Sequence, residues 1–268
     1  MPELPEVETT RRGIAPHIAG KKLTGAIVRQ PKLRWPVPSL KHLVGQPVRR
    51  IERRAKYLLL GFDKGTLILH LGMSGSLRVL PGDTPPGPHD HLDLQFGRKC
   101  LRLRDPRRFG AVLWSERPVA EHPLIRHLGP EPLSEEFNAD YLYLQARRRR
   151  IPIKQLLMDG KVVVGVGNIY ATESLFMAGI NPARPCNRIS KARIEDLFAQ
   201  VKRVLARAIE QGGTTLRDFQ REDGRPGYFS QELLVYGREG EACPTCGTIV
   251  RARQIGQRTS AWCPHCQR

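Results

Sequence analysis

His91-Leu-Asp-Leu-Gln-Phe-Gly-Arg-Lys-Cys-Leu-Arg-Leu-Arg104 is the stretch that decides the fold of the first half of this 268-residue chain. Apolar residues stand at 92, 94 and 96, then at 101 and 103, with polar residues between them. Alternation with a period of two is the pattern of a half-buried strand. Gly97-Arg98-Lys99 is a turn signal, so the stretch predicts an antiparallel hairpin with one dry and one wet face. Working outward, short strands read at 26–30, 48–53, 57–62, 66–71, 76–80 and 111–114 bring the count to about eight, with Asp63-Lys64-Gly65 as a further turn. Eight antiparallel strands predict a sandwich or flattened barrel. The proline- and glycine-rich segment 81–88 reads as a surface loop.

The periodicity on either side of this block is helical. Val7, Arg11, Ile14 and Ile18 follow helical spacing, Pro5 suits a first turn, Glu6 and Glu8 favour its positive end, and Gly20 is the stop. After Pro118, helices are predicted over 141–146, 152–158, 169–178 and 191–211, with Asn168 as the cap of the third. Residues 212–228 are rich in Gly, Thr, Asp and Arg, have little periodicity, and read as a mobile loop.

Near the end, Cys243, Cys246, Cys263 and Cys266 form a C-x2-C-x16-C-x2-C pattern. Two thiolate pairs on two tight knuckles supply the four ligands of a tetrahedral zinc site. Pro244, Pro264 and Gly247 are suited to those turns, and the sixteen residues between the pairs have room for two short strands. With no open ligand position implied, the zinc is expected to be structural. Cys100 and Cys186 fall outside the pattern and read as small packing residues.

The 44 basic and 26 acidic residues leave a net charge of +18. Such an excess on a chain with enough apolar residues for a core predicts a polyanionic partner. No basic amphipathic helix, no apolar run of about 18 residues and no signal-peptide pattern is present, so a membrane is not expected and the cytoplasm is the default compartment. Pro2 is the remaining signal. Once Met1 is removed, as aminopeptidase does before small residues, Pro2 carries a free secondary amine. Such an amine can attack an aldehyde-like carbon and form an iminium, with Glu3 beside it to move protons.

Several longer motifs accompany these features: Pro2-Glu-Leu-Pro-Glu-Val-Glu-Thr9, Arg54-Ala-Lys-Tyr57, His70-Leu-Gly-Met-Ser-Gly-Ser-Leu77, Asp105-Pro-Arg-Arg-Phe-Gly110, Leu128-Gly-Pro-Glu-Pro-Leu133 and Gly165-Val-Gly-Asn-Ile-Tyr-Ala171. In this order and with the four cysteines, the chain from Pro2 to Cys266 resembles the bacterial formamidopyrimidine-DNA glycosylases. The related family acting on oxidised pyrimidines usually has glycine where this chain has Leu4, which favours the purine branch. The resemblance implies an α+β architecture: an N-terminal β-sandwich domain with its helix (1–130), a helical domain with a helix–two-turn–helix element (131–237) and a zinc hairpin (238–268), with DNA between the first two.

The resemblance also implies roles. Pro2 is the implied nucleophile at the sugar C1′ and Glu3 the acid/base. Lys56 is implied to act at the lesion's sugar-phosphate region. Arg258 is the implied late proton donor, although an arginine stays protonated and reads first as a phosphate clamp. Glu173 is implied to lie near the proline nitrogen. Met73, Arg107 and Phe109 match the trio that fills the hole left by an extruded base. His89, Arg108, Arg149 and Asn168 match phosphate contacts, and Lys154 together with the loop 212–229 matches the region that reads the base. The expected partner is duplex DNA containing oxidised purines, the cofactor one structural Zn2+, and the active form a monomer in the cytoplasm, associated with the nucleoid.

Overall fold

The computed structural model describes residues 2–214 and 232–268. The described residues form two compact units, 2–126 with 211–214, and 127–210 with 232–268.

The first unit opens with helix α1, Leu4–Ile18. Pro5 lies in its first turn, and the Glu6 carboxylate reaches back to accept the Glu3 backbone N–H at 2.7 Å, half of a capping box. Eight strands follow: β1 (Gly25–Val28), β2 (Arg50–Arg54), β3 (Tyr57–Phe62), β4 (Gly65–His70), β5 (Ser76–Pro81), β6 (Asp90–Phe96), β7 (Lys99–Arg104) and β8 (Ala111–Ser115). They build two antiparallel four-stranded sheets, ordered β1-β6-β7-β5 and β2-β3-β4-β8. The β6–β7 hairpin pairs Phe96 with Lys99 and Leu94 with Leu101 around the Gly97 turn. Leu92, Leu94, Phe96, Leu101 and Leu103 enter one core with Leu58, Leu60, Leu67 and Leu69 of the other sheet and with Val7, Ile14 and Ile18 of α1. Full burial of each such side chain stabilises by roughly 1.5–3 kcal/mol. This core binds the helix bearing Pro2 and Glu3 to the sandwich.

The polar face of that hairpin is not wet as expected. Asp93 and Arg102 are both about 3% exposed. Arg102 donates to both oxygens of Asp93 and to the carbonyls of Thr84 and Pro85, so the loop expected merely to lie on the surface folds over the strand pair. A buried charge is tolerable only when paired and hydrogen-bonded, and here the pairing crosses between strands.

The second unit holds α2 (Ala139–Arg147), α3 (Ile153–Met158), α4 (Asn168–Met177) and α5 (Lys191–Glu210), then the hairpin β9 (Arg251–Ile255) and β10 (Arg258–Trp262). Asn138 caps α2, its side-chain oxygen accepting from the Tyr141 amide at 2.9 Å. The amphipathic α5 buries Ile194, Leu197, Val201, Val204, Leu205, Ala208 and Ile209, the stripe its spacing predicts. Asn168 is not the cap of α4. Gly167 takes that place, Asn168 is the first helical residue, and its side chain is engaged elsewhere. The loop expected over 212–228 lies outside the described residues beyond Thr214. Among the described residues, no helix is long and apolar enough to cross a membrane.

Candidate functional site

Pro2 and Glu3 are both buried at the head of α1. Glu6, fully buried, ties them in place. One of its oxygens holds the Glu3 amide and the other accepts the Thr214 amide at 2.8 Å, so the N-terminal segment and the chain after α5 share one carboxylate. Glu8, two residues on, fixes the helix to the sandwich. It accepts from Arg11 at 2.7 and 3.0 Å, from Arg12 at 2.9 Å and from Arg53 of β2 at 3.2 Å. Burial alone would raise the pKa of Glu8, but the Arg11 and Arg12 hydrogen bonds outweigh it and hold the value at about 2. Arg53 also donates to the Ala55 carbonyl at 2.9 Å. Ala55 has φ +54°, and it delivers Lys56 to the start of β3.

Lys56 lies in the charged surroundings of His70, whose ring packs 4.9 Å from Tyr57. Burial, then the charges of Lys56 and Arg34, hold His70 at about 4, so its ring is neutral at pH 7. The Gly72 N–H donates to His70 Nδ1 at 3.0 Å, which leaves the ring proton on Nε2.

Two loops of the sandwich carry the expected hole-filling residues, and one carboxylate joins them. Asp105, fully buried, accepts the Ser74 hydroxyl at 2.9 Å and the Gly110 amide at 2.7 Å. Ser74 Oγ in turn accepts the Arg107 amide at 3.2 Å. Gly72 has φ +65°, and a Cβ there would stand 2.4 Å from the Phe109 carbonyl carbon, so only glycine permits this approach. Phe109 is 45% exposed, with the Arg107 guanidinium 5.1 Å from its ring centre, and Met73 is half-buried beside them. Exposed His89 (φ +74°) and Arg108 (φ +55°) both adopt the left-handed conformation, which costs about 1–2 kcal/mol for an ordinary residue. Asp105 links them as well, its amide donating to the His89 carbonyl and its carbonyl accepting from Arg108.

In the second unit, Arg149 is half-buried, with its Nη1 donating to the carbonyl and side-chain oxygens of Gln145. Glu173 is 2% exposed, and its two oxygens accept the amides of Leu234, Val235 and Tyr236 at 2.8–3.1 Å. Burial raises its pKa against those three hydrogen bonds. Lys154 is enclosed. It is 1% exposed, and its ammonium donates to Asn168 Oδ1 at 2.6 Å, Ser260 Oγ at 2.7 Å and the Thr259 carbonyl at 3.2 Å. It lies where α3 meets the hairpin. Arg258 is exposed at the first position of β10.

The four cysteine Sγ atoms lie within 4.8 Å of one another. The Cys243–Cys266 and Cys246–Cys263 sulfur separations are 3.9 and 3.5 Å. With Zn–S bonds of about 2.3 Å, a tetrahedron of sulfurs has edges of about 3.8 Å, so the set fits zinc. Hydrogen bonds from Thr248 hold Cys246 at about 6, whereas burial and then the neighbouring thiols push Cys266 up.

Sequence reasoning gave Glu6 and Glu8 only a helix-start role and passed over Arg53, His70, Asp105, Ser74 and Ser260 as individual residues. Glu6, Glu8, His70, Ser74 and Asp105 sit inside quoted motifs, and Ser74 and Asp105 are polar members of turns that carry a glycine, a signal that was present. Ser260 had none.

The chain matches the family models described as Formamidopyrimidine-DNA glycosylase N-terminal domain (residues 1–112), Formamidopyrimidine-DNA glycosylase H2TH domain (128–220) and Zinc finger found in FPG and IleRS (240–268). Sandwich, helix–two-turn–helix element and zinc finger in this order define a class of zinc-finger DNA glycosylases, and the cysteine cluster holds one structural zinc. The chain is 58% identical over 272 residues to the formamidopyrimidine-DNA glycosylase of Stenotrophomonas maltophilia strain K279a, covering all of both. It is similar to the Lactococcus lactis Fpg solved with abasic-site DNA (TM-score 0.91, 33% identity, 99% of each chain) and with N7-benzyl-Fapy-dG DNA (TM-score 0.93, 34% identity, all of each chain). The chain belongs to the formamidopyrimidine-DNA glycosylase family.

Proposed function

We propose that this chain excises oxidised purines, 8-oxoguanine and formamidopyrimidines, from duplex DNA and then cuts the strand at the resulting abasic site. The observation that carries the reading is the pair of loops joined by Asp105, which presents Met73, Arg107 and exposed Phe109 together. An apolar wedge beside a guanidinium is what a protein needs to turn a base out of a duplex and satisfy the partner left behind. Full-length likeness to relatives solved with abasic and formamidopyrimidine DNA supports it.

In this reading the Pro2 nitrogen, freed by removal of Met1, attacks C1′ with its lone pair. The glycosidic bond breaks, and the base leaves with its electron pair and takes up the proton that the Pro2 nitrogen gives up. Glu3 protonates the ring oxygen as the sugar opens, giving an iminium. That iminium acidifies C2′–H; loss of the proton expels the 3′ phosphate, and a second elimination expels the 5′ phosphate. Lys56 serves the sugar-phosphate near the lesion. His89, Arg108, Arg149 and Asn168 hold phosphates, and Arg258 clamps another. Glu173 supports this constellation through the segment it anchors. Lys154 serves DNA through Asn168. The zinc hairpin holds Arg258 rigid. The working partition of the chain is 1–130, 131–237 and 238–268, and the active form is a monomer in the cytoplasm, on the nucleoid.

Borohydride reduction on a duplex with one 8-oxoguanine opposite dC tests the proposal. A covalent adduct mapped by mass spectrometry to an N-terminal proline is expected, and Pro2→Gly should abolish it. No adduct from protein shown to begin at Pro2 and to bind the duplex would sink the reading.

A further inference from the structure

We infer that Lys154 is a positioning residue that sets the direction of the Asn168 side-chain amide, and that it does not read the extruded base. The inference rests on the proposed DNA-repair function. Lys154 is 1% exposed, at the start of α3. Its ammonium offers three hydrogens and has no acceptor, and three oxygens meet it: Asn168 Oδ1, Ser260 Oγ and the Thr259 carbonyl. Hydrogen bonds from a charged donor are about twice as strong as neutral ones.

The consequence falls on Asn168. An ammonium cannot accept a hydrogen bond, so the amide oxygen has to face Lys154 and the NH2 group has to face away. The Thr259 carbonyl enforces the same choice by accepting one Nδ2 hydrogen at 3.1 Å. The other hydrogen is left pointing out from the half-exposed side chain, at the first turn of α4, where the helix dipole favours an anion. Turned over, Asn168 would present an oxygen to a phosphate and repel it. The same ammonium steadies the hairpin, because Ser260 Oγ donates on to the Arg258 carbonyl at 3.3 Å.

The test measures binding to two uncleaved duplexes, one with a tetrahydrofuran abasic analogue opposite dC and one with 8-oxoguanine opposite dC in the presence of Pro2→Gly. Lys154→Met should weaken both by the same factor, about tenfold. Added to Asn168→Ala, it should cost less than a further twofold, because both remove one contact. Lys154→Arg, which restores the charge but not the compact ammonium, should not rescue. A loss confined to the 8-oxoguanine duplex assigns Lys154 to the base and overturns the inference, as does a multiplicative double variant or an unchanged affinity. Ser260→Ala keeps the lysine and its charge; it should show a smaller loss, equal on both duplexes and absent in the Asn168→Ala background, and it carries the test if Lys154→Met lowers the yield of folded protein. Wild-type protein that bound neither duplex would instead defeat the proposed function.

Discussion

Asp105 accepts from Ser74 on one loop and from Gly110 on another, and its own backbone joins His89 to Arg108. Asparagine has the same size but replaces one acceptor by a donor, setting it against an existing N–H or O–H. Asp105→Asn should therefore cost about 2–3 kcal/mol in urea unfolding; a cost under about 0.5 kcal/mol would show the two loops hold without it. His70 gives a pH signature. Its native pKa is about 4 and its ordinary value 6.5, so between those values the unfolded chain binds a proton that the native chain does not. Native stability then falls as pH drops through 6.5 toward 4, by up to about 3 kcal/mol. His70→Asn, which keeps an acceptor for the Gly72 amide, should flatten that part of the profile. Parallel profiles for the two proteins would contradict the assignment. Such residues were hard to single out from sequence. Lys154 looks like any lysine at a helix start, because the partners that bury it stand 14 and more than 100 residues away.

Single elements were far more legible. All eight strands of the sandwich, the helix after Pro5 and the zinc hairpin follow from local periodicity and turn residues, which act within a few positions. What local patterns missed were the closures between elements: the 84–85 carbonyls over Arg102, the Arg53 bridge to Glu8, and the Gly72 approach to Phe109. Gly72→Ala would force a Cβ against that backbone at a positive φ. The expected loss is at least about 2 kcal/mol, with the melting temperature lowered accordingly. A variant as stable as the parent would mean the two loops separate freely. For the zinc hairpin, Cys243→Ser should remove the metal, seen by mass spectrometry of the intact protein, and change the fluorescence of Trp262, whose ring lies 5.4 Å from the Arg253 guanidinium.

For the whole molecule, net charge +18 makes salt the main lever on DNA affinity. Four expected phosphate-side cations, Lys56, Arg108, Arg149 and Arg258, set a slope of log K against log salt of about −3.6. Arg108→Ala should flatten it by about 0.9 on damaged and undamaged duplexes alike; an unchanged slope would remove Arg108 from the phosphate contacts. The Glu6 carboxylate has a consequence of another kind. It holds the amides of Glu3 and of Thr214, which are translated 211 positions apart, the second reaching Glu6 across 208. While the ribosome is still making the sandwich and the helices, one of those bonds has no donor, and the Glu6 carboxylate holds only the amide of Glu3. Methionine aminopeptidase works on nascent chains, so the late arrival of residue 214 leaves Met1 within its reach for most of synthesis.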